Sequence, residues 1–293
     1  MHVVFRESHG LEETETPTDL GQSPADLVVL SFSDSDLGAF GAGWHRGGGA
    51  VGKLPTLRLA NLVGLKHPLS VDTYVEQTLA GARGILIRLI GGVPYWAYGL
   101  QQVYALAQAK GIALAVLPAD GRVDTRLDEM STLPVSTLRR LAHLCDTGGA
   151  VAAQAALAQM ALASGLYAGP VRGAKSLPMV GTWTPEHGVS CPLILAPDTR
   201  PLVIVTFYRA YLAAADLSPI EALFDALRAR GFQVLGLFAP SLKAPDAARW
   251  MARQIAHLTP TAIVNATAFS GKGNDGTSPL DAGNAPVFQV ALS

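Results

Sequence analysis

The sequence has little charge, few cysteines and no long apolar run. Only 15% of its 293 residues are charged, 49% are hydrophobic, and the formal net charge is −1. A chain without a basic stripe does not predict nucleic-acid binding. No run reaches the roughly 18 apolar residues of a membrane span, and the amino terminus lacks the features of a signal peptide. We therefore expect a cytoplasmic protein without nucleic-acid or membrane partners, whose low charge indicates buried sheets or large protein contacts.

Motifs of metal, nucleotide and hydrolase sites are also missing. The two cysteines lie far apart without CxxC spacing, and the seven histidines show no HxH, HxxxH or HExxH pattern. The pair Glu186-His187 is the most interesting one for proton transfer or metal binding, although a solvated pair is the commoner arrangement. Gly91-Gly92 is typical of a strand-to-helix turn, but it is not GxGxxG and no Walker lysine follows. The spacings of histidine and cysteine therefore predict no bound metal ion. The sequence also contains no GxSxG elbow, so hydrolase chemistry is not predicted.

Strand and helix patterns alternate in the first half of the chain. Apolar runs predict strands over 3–5, 26–32, 57–62, 84–90 and 112–118. Helices are predicted over 71–81, with Ser70 as the N-cap residue, and over 95–110, where Gly111 ends the helix. This alternation predicts parallel strands joined by right-handed crossovers.

A helical stretch and a second alternating stretch follow. Helices are predicted over 134–145 and 149–164, and the second is Ala-rich and apolar on most sides, so we expect it to be buried. Residues 167–200 are rich in Gly and Pro and predict a connector. Beyond it, strands are predicted over 202–207, 233–238 and 262–268 and from residue 286. Helices are predicted from Ser218, with a capping box to Glu221, and over 245–258.

These patterns predict the α/β class, with two parallel-sheet units joined by a helical segment and a long connector. We expect an amino-terminal α/β domain over 1–132, the helical segment and connector over 133–199, and a second, flavodoxin-like domain over 200–293. The last strand is followed by no helix that covers it. This predicts that the second domain is incomplete at its carboxyl end and that the chain is the amino-terminal piece of a larger protein.

Polar side chains follow two of the predicted strands in the last third of the chain. Tyr208 and Arg209 come directly after one apolar run, and Asn265, Thr267 and Ser270 lie at the end of another. Ligands bind outside the carboxyl ends of parallel strands, so we expect both clusters to open into one crevice. A guanidinium placed there suits a carboxylate. The alternatives are an ion pair at the rim and ordinary capping of a loop.

Aromatic side chains that follow predicted strands offer flat apolar faces. Phe269 lies inside the second polar cluster, and Trp96 lies at the start of the predicted helix 95–110, beside Gly91-Gly92. Their alternative role is core packing. Together with the polar residues above, they form the predicted substrate-binding set of Tyr208, Arg209, Asn265, Thr267, Phe269, Ser270 and Trp96.

Four segments of the sequence resemble the large subunit of the aerobic cobaltochelatase, the CobN type, which is related to the large subunit of magnesium chelatase. The segments are residues 5–10 (FRESHG), 30–37 (LSFSDSDL), 206–209 (TFYR) and 265–270 (NATAFS). Each motif is short, but their order and spacing together are specific, and the resemblance runs along essentially the whole chain. The family's subunits are longer, so this chain resembles their amino-terminal portion.

The resemblance implies a function that the residues alone do not. It implies that the complete subunit binds hydrogenobyrinic acid a,c-diamide and that cobalt(II), as the substrate metal, enters this corrinoid on the aerobic route to cobalamin. It also implies partner subunits of the AAA+ ATPase type, which bind and hydrolyse ATP in place of this chain. Catalytic residues are not transferred by the resemblance, and we expect this chain alone to be inactive.

Two further hypotheses stay open. A magnesium chelatase large subunit would bind protoporphyrin IX instead, although the opening segment, residues 1–7, favours the cobalt branch. A non-catalytic binding or docking module is the second alternative, because a surface with little charge also suits contacts with other subunits.

Overall fold

The structure, a computed structural model, describes residues 16–121, 124–167, 170–174, 176–190, 198–268, 271–272 and 276–291. Two compact units divide the chain, residues 2–176 and residues 177–293. Each contains a sheet with parallel strands and helices packed on it, which confirms the predicted α/β class. The strand predicted over 3–5 lies outside the described residues.

The first unit is built on a four-stranded parallel sheet. Its strands are β1 (Leu27–Ser31), β2 (Leu57–Asn61), β3 (Gly84–Leu89) and β4 (Ala113–Pro118), in the order β2-β1-β3-β4. Its helices are α1 (Asp34–Arg46), α2 (Pro68–Gln77), α3 (Ala97–Lys110), α4 (Thr125–Glu129), α5 (Val135–Thr147) and α6 (Gly149–Ala163). Each of these four strands lies within one residue of its predicted bounds.

Helices cover both faces of this sheet, which explains why its strands are apolar on both sides. Leu30 and Ile85 pack on one face, in the core that α2 and α3 complete. Val29 and Leu86, their neighbours in sequence, pack on the opposite face, in the core that α1, α5 and α6 complete. Successive side chains of a strand point to opposite faces, so each strand contributes to both cores.

The helical segment that the sequence predicted between the two α/β domains packs on this first sheet. Leu141 of α5 and Leu157 of α6 are buried in the same core as Val29. Helix α6 approaches α1 closely at Gly43, which has no side chain. A Cβ atom added to Gly43 would lie only 2.6 Å from the backbone nitrogen of Gln154. Small side chains on α6 permit this approach, and the burial of this Ala-rich helix agrees with its apolar pattern. Among the described residues, no helix has both the length and the apolar character needed to cross a membrane.

The predicted start of α2 is wrong. The helix begins at Pro68, and His67 caps it by accepting a hydrogen bond at Nδ1 from the amide of Leu69 at 3.1 Å. Ser70 lies inside the helix and is 2% exposed, and its hydroxyl accepts from the amide of Thr18 at 2.7 Å. The long-range contact to Thr18 explains why this serine is not at the helix end.

The second unit contains a six-stranded mixed sheet. Its strands are β5 (Gly181–Thr184), β6 (Gly188–Ser190), β7 (Leu202–Tyr208), β8 (Gln233–Ala239), β9 (Ala262–Asn265) and β10 (Val287–Gln289), in the order β10-β9-β7-β8-β5-β6. Its helices are α7 (Arg209–Ala214), α8 (Ser218–Arg228) and α9 (Pro245–Leu258). Strands β7 to β10 pair in parallel, whereas β5 pairs antiparallel with β8 and with β6.

The hairpin of β5 and β6 lies inside the stretch that the sequence predicted as a connector. Trp183 of β5 is buried, and its ring makes edge-on contacts with Phe207 and Phe224 at centroid distances of 5.8 and 5.1 Å. Glu186 in the turn accepts two hydrogen bonds from Arg228 of α8. An aromatic contact and an ion pair therefore attach the hairpin to the parallel part of the sheet.

The predicted capping box at the start of α8 is also wrong. The N-cap residue is Leu217, whose carbonyl accepts a hydrogen bond from the amide of Glu221 at 2.8 Å. Ser218 is already the first residue of the helix, so Pro219 is its second residue. The sequence pattern therefore located the helix correctly but placed its cap one residue late.

Both sheets have a topological switch point. The first parallel strand of each unit is flanked on both sides by later strands, β1 by β2 and β3, and β7 by β8 and β9. The chain passes from such a strand to one neighbour and then crosses to the neighbour on its other side. In parallel sheets, this reversal is where ligands bind, outside the carboxyl ends of the strands. The strand orders place these switch points between β1 and β3 in the first unit and between β7 and β9 in the second.

Candidate functional site

The switch point of the second unit carries most of the predicted site residues. Tyr208 is the last residue of β7 and Arg209 the first of α7, while Asn265 ends β9 and Thr267 follows it. Strands β7 and β9 are neighbours, with Thr206 opposite Asn265 in their register. The polar residues at the ends of these two strands therefore lie at neighbouring carboxyl ends of the sheet, and the crevice that they share stays a prediction.

Backbone carbonyl groups hold the side chain of Arg209. Its Nε atom donates to the carbonyl oxygen of Pro178 and its Nη2 atom donates to that of Leu177, both at 3.0 Å. These bonds use the Nε side of the guanidinium and leave the hydrogens of Nη1 available to a further acceptor. Arg209 is therefore held in place by neutral groups.

The positive charge of Arg209 is not balanced by an ion pair with any described carboxylate. Burial lowers the pKa of Arg209, because a partly desolvated cation is less stable than one in water. An arginine nevertheless stays protonated at neutral pH. The switch point therefore presents a half-buried cation that suits an anionic group of a ligand.

Asn265 is the centre of a buried hydrogen-bond network. It is 1% exposed, and its Oδ1 atom accepts from the hydroxyl of Thr206 at 2.8 Å and from the hydroxyl of Thr267 at 2.8 Å. Its Nδ2 atom donates to Oε1 of Gln289 at 2.8 Å. The structure therefore gives Asn265 and Thr267 a role in holding the end of β9, and their contact with a substrate stays a prediction.

The other predicted site residues lie in different surroundings. Tyr208 is half-buried beside Arg209, whereas Phe269 and Ser270 lie outside the described residues. Trp96 belongs to the first unit, is 5% exposed, and donates from Nε1 to the carbonyl oxygen of Leu65 at 2.7 Å. Core packing, the alternative weighed from the sequence, describes these surroundings of Trp96, and its contact with a substrate stays a prediction.

The switch point of the first unit also holds an arginine, but carboxylates surround it. The side chain of Arg88, at the end of β3, is 5% exposed and forms ion pairs with Asp36 at 3.1 Å and Asp146 at 3.0 Å. The hydroxyl of Ser31 donates to Asp36 at 3.0 Å. Because its charge is neutralised within the protein, Arg88 does not offer the free cation that Arg209 does.

Burial shifts the ionisation of the groups around Arg88. It opposes the charge of Arg88, yet nearby acidic groups raise the pKa of this arginine overall. Burial also raises the pKa of Asp146, although Arg88 acts in the opposite direction. The pKa of the Cys145 thiol rises to about 12, chiefly through burial, which disfavours the nucleophilic thiolate at neutral pH.

A resident metal site is not formed by the described residues, since no three His, Cys, Asp or Glu side chains there come together. The pair Glu186-His187 does lie in a loop, the turn of the β5–β6 hairpin. Arg228 holds Glu186 and lowers its pKa to about 2. Nδ1 of His187 lies 3.3 Å from the hydroxyl of Thr184. These contacts favour a structural role for the pair.

Two features of the site were missed by the sequence reasoning. Gln289 interrupts the apolar run of the last strand, just as Asn265 ends its own apolar run, and that pattern was the signal for it. The carbonyl groups of Leu177 and Pro178 leave no signal of this kind, because every residue has one. Only the three-dimensional structure identifies them as the partners of Arg209.

Comparison with known proteins identifies relatives of the chain. A sequence model of the CobN/Magnesium Chelatase family matches residues 150–293. The aerobic cobaltochelatase subunit CobN of Sinorhizobium sp is 33% identical over 307 residues, which cover 100% of this chain and 24% of that protein. The subunit of the same name from Pseudomonas aeruginosa is 33% identical over 280 residues, which cover 92% and 22%.

A solved structure supports the fold. The catalytic subunit of cobaltochelatase from Mycobacterium tuberculosis superposes with a TM-score of 0.69 at 22% identity, over 90% of this chain and 21% of that chain. The chain spans about a quarter of the length of the curated relatives it matches. The sequence resemblance is thereby confirmed: residues 150–293 match the family model, and the chain is similar along its length to part of two CobN subunits.

Proposed function

We propose that this chain is part of the large subunit of an ATP-dependent aerobic cobaltochelatase and that its second unit binds hydrogenobyrinic acid a,c-diamide. The observation that carries this proposal is the position of Arg209, a half-buried cation without a described carboxylate partner, at the switch point between β7 and β9. The two CobN relatives, each 33% identical, support the choice of substrate.

The chemistry of the corrinoid suits this cation. Its broad apolar ring carries carboxylates and amides around its edge. A charged hydrogen bond between Arg209 and one of these carboxylates contributes about 1.5–3 kcal/mol, which corresponds to roughly ten- to a hundredfold in affinity. Because Arg209 is already held by Leu177 and Pro178, little side-chain entropy is lost when the carboxylate binds.

The remaining predicted residues complete the proposal. We assign the polar edge of the ring to Thr267, Ser270 and the side-chain amide of Asn265. Tyr208 and Phe269 are assigned to its apolar face, on which aromatic side chains stack. Of these residues, half-buried Tyr208 is adjacent to Arg209, so it is the first aromatic residue to test.

The proposed reaction is the insertion of cobalt(II), the substrate metal, into the corrinoid ring in aerobic cobalamin biosynthesis. Phosphate transfer needs a cradle of backbone amides with a lysine, and the sequence contains no such loop. We therefore assign ATP to partner subunits of the AAA+ type. On this assignment the chain alone neither hydrolyses ATP nor inserts cobalt.

A magnesium chelatase large subunit that binds protoporphyrin IX is the second candidate. The matched family includes both kinds of chelatase, and protoporphyrin IX also carries carboxylates that suit Arg209. The CobN name of both curated relatives favours the corrinoid. A non-catalytic docking module, the third candidate, binds neither ring.

Absorbance titration separates the three candidates. The 293-residue chain is titrated with hydrogenobyrinic acid a,c-diamide and, in parallel, with protoporphyrin IX. We expect saturable spectral changes with the corrinoid and much weaker changes with the porphyrin. The opposite preference would identify the magnesium branch, and the absence of binding to either ring would favour the docking module.

A further inference from the structure

Gln289 lies directly opposite Asn265 in the parallel pair of β10 and β9. Its Oε1 atom accepts from Nδ2 of Asn265 at 2.8 Å, and its Nε2 atom donates to the carbonyl oxygen of Thr267. One side chain from the edge strand therefore bonds both to the last residue of β9 and to the segment that follows it.

These bonds close a ring of three residues. The amide and the hydroxyl of Thr267 donate to Oδ1 of Asn265 at 3.2 and 2.8 Å, which links Thr267 back to the residue that Gln289 holds. Thr206 ties the ring to β7. Asn265 and Thr267 are 1% and 2% exposed, and buried polar groups retain their hydrogen bonds. The ring therefore fixes the path of the backbone from residue 265 to residue 267.

We propose that Gln289 is a positioning residue of the substrate site. It acts through Asn265 and Thr267, whose bonds fix the path of the backbone where the chain leaves β9. This inference rests on the proposed function, because it names the residue that orients the proposed contacts with the corrinoid. Gln289 itself does not touch the substrate.

The attachment of β10 to the sheet does not depend on this side chain. The amide of Ile263 donates to the carbonyl of Pro286 at 2.9 Å, and the amide of Val290 donates to that of Asn265 at 3.0 Å. Val290 also packs against the core of the second unit. A substitution at Gln289 therefore leaves the backbone pairing in place and tests the ring of hydrogen bonds separately.

The test uses two substitutions at Gln289 and one matched control. Gln289→Met keeps the length of the side chain and removes its hydrogen bonds to Asn265 and Thr267, together with the longer one from Nε2 to the carbonyl oxygen of Val290 at 3.3 Å. Gln289→Glu keeps an acceptor for Nδ2 of Asn265 but loses the donor to Thr267. Gln108→Met removes an exposed glutamine of the first unit, whose Nε2 atom donates to the hydroxyl of Tyr104 at 3.0 Å.

Titration of the 293-residue chain with hydrogenobyrinic acid a,c-diamide gives the first measurement. From the usual contribution of one or two hydrogen bonds, we expect about tenfold weaker binding for Gln289→Met and about threefold weaker binding for Gln289→Glu. Gln108→Met binds as the wild type does. The partial rescue by Gln289→Glu distinguishes a positioning role from a general loss of structure.

Amide hydrogen exchange gives the second measurement. Exchange at Thr267 becomes faster in Gln289→Met, while the amides of β7 and β8 stay protected. Faster exchange across β7 and β8, or wild-type corrinoid affinity in Gln289→Met, overturns the inference and leaves the proposed function intact. A wild-type chain that binds no corrinoid overturns the proposed function, and this inference with it.

Discussion

The Nε atom of Arg209 donates a hydrogen bond to the carbonyl oxygen of Pro178 at 3.0 Å. The bond joins the first residue of α7 to a residue that lies three positions before β5. A second bond, from Nη2 to the carbonyl of Leu177, fixes the plane of the guanidinium. Arg209 thus has a defined orientation even though no described carboxylate pairs with it.

Replacement of Arg209 by alanine is expected to weaken corrinoid binding about ten- to a hundredfold, since one charged hydrogen-bond pair is lost. Arg209→Lys keeps the charge but not the planar fork, so we expect it to bind more weakly than the wild type. Absorbance titration measures both effects. Arg253→Ala is the control, because Arg253 is exposed on α9 and forms no ion pair with a described residue. Equal affinity of Arg209→Ala and the wild type, with the fold intact, would show that the site assignment is wrong.

Loss of Arg88, the buried cation of the first unit, is expected to lower the free energy of unfolding and to leave corrinoid binding unchanged. Arg88→Met leaves Asp36 and Asp146 without their partner at the switch point of the first sheet. Removal of one member of a fully buried ion pair typically costs about 3–5 kcal/mol, and we expect a smaller loss here because Asp36 and Asp146 are 21% and 50% exposed. Urea unfolding followed by tryptophan fluorescence measures this cost, because Trp44 and Trp96 report on the first unit.

Arg249→Met is the matched control for this experiment. Arg249 is 73% exposed and pairs with Asp246 one turn away on α9, so its removal is expected to cost less than about 0.5 kcal/mol. Equal losses in Arg88→Met and Arg249→Met would contradict the view that the ion pairs of Arg88 stabilise the first unit.

The strands were more predictable from the sequence than the contacts between elements. Continuous apolar runs such as β3 are buried on both faces in parallel sheets, so their bounds followed from composition alone. The cap of α2 was misplaced because Ser70 serves a contact with Thr18, which lies 52 residues away. The hairpin at 181–190 was missed because its strands are short and its stability comes from Trp183 and Glu186, whose partners lie elsewhere in the unit.

In the candidate site, too, the positions of residues on strands were predictable and the contacts between elements were not. Side chains at the ends of β7 and β9 were predictable, because the carboxyl ends of neighbouring parallel strands meet at one edge. The ring of Asn265, Thr267 and Gln289 was not, since it depends on the register of β10 against β9. A glutamine inside an apolar run indicates a buried polar contact but does not identify the partner.

The ion pair of Glu186 and Arg228 is expected to make stability depend on pH in the acid range. Arg228 lowers the pKa of Glu186 from 4.5 to about 2. The unfolded chain therefore binds more protons than the folded one between these values, so stability from the pair is present above pH 4.5 and is lost as the pH falls towards 2. Because the Glu186 side chain is 52% exposed, solvent screening limits the effect to less than about 1 kcal/mol at neutral pH.

Thermal unfolding of Glu186→Gln measures this contribution. We expect a slightly lower melting temperature than that of the wild type at pH 7 and no difference near pH 2. Glu76→Gln serves as the control, because Glu76 is exposed on α2 and has no ion pair within the described part of the chain. A difference that persists unchanged at pH 2 would contradict the role of the ionised carboxylate.

The edge strand β10 is expected to cause self-association of the isolated chain. Among the described strands, β10 pairs only with β9, so its outer edge has unpaired backbone groups. Val287 and Phe288 on this strand are 40% and 57% exposed, and an apolar edge strand invites pairing with another chain. Charged residues protect such edges, so Phe288→Lys is expected to lower the apparent mass measured by light scattering. Val51→Lys, which replaces a 74% exposed apolar residue outside any strand, leaves the mass unchanged. A wild-type chain that stays monomeric over the same concentration range would show that β10 does not drive association.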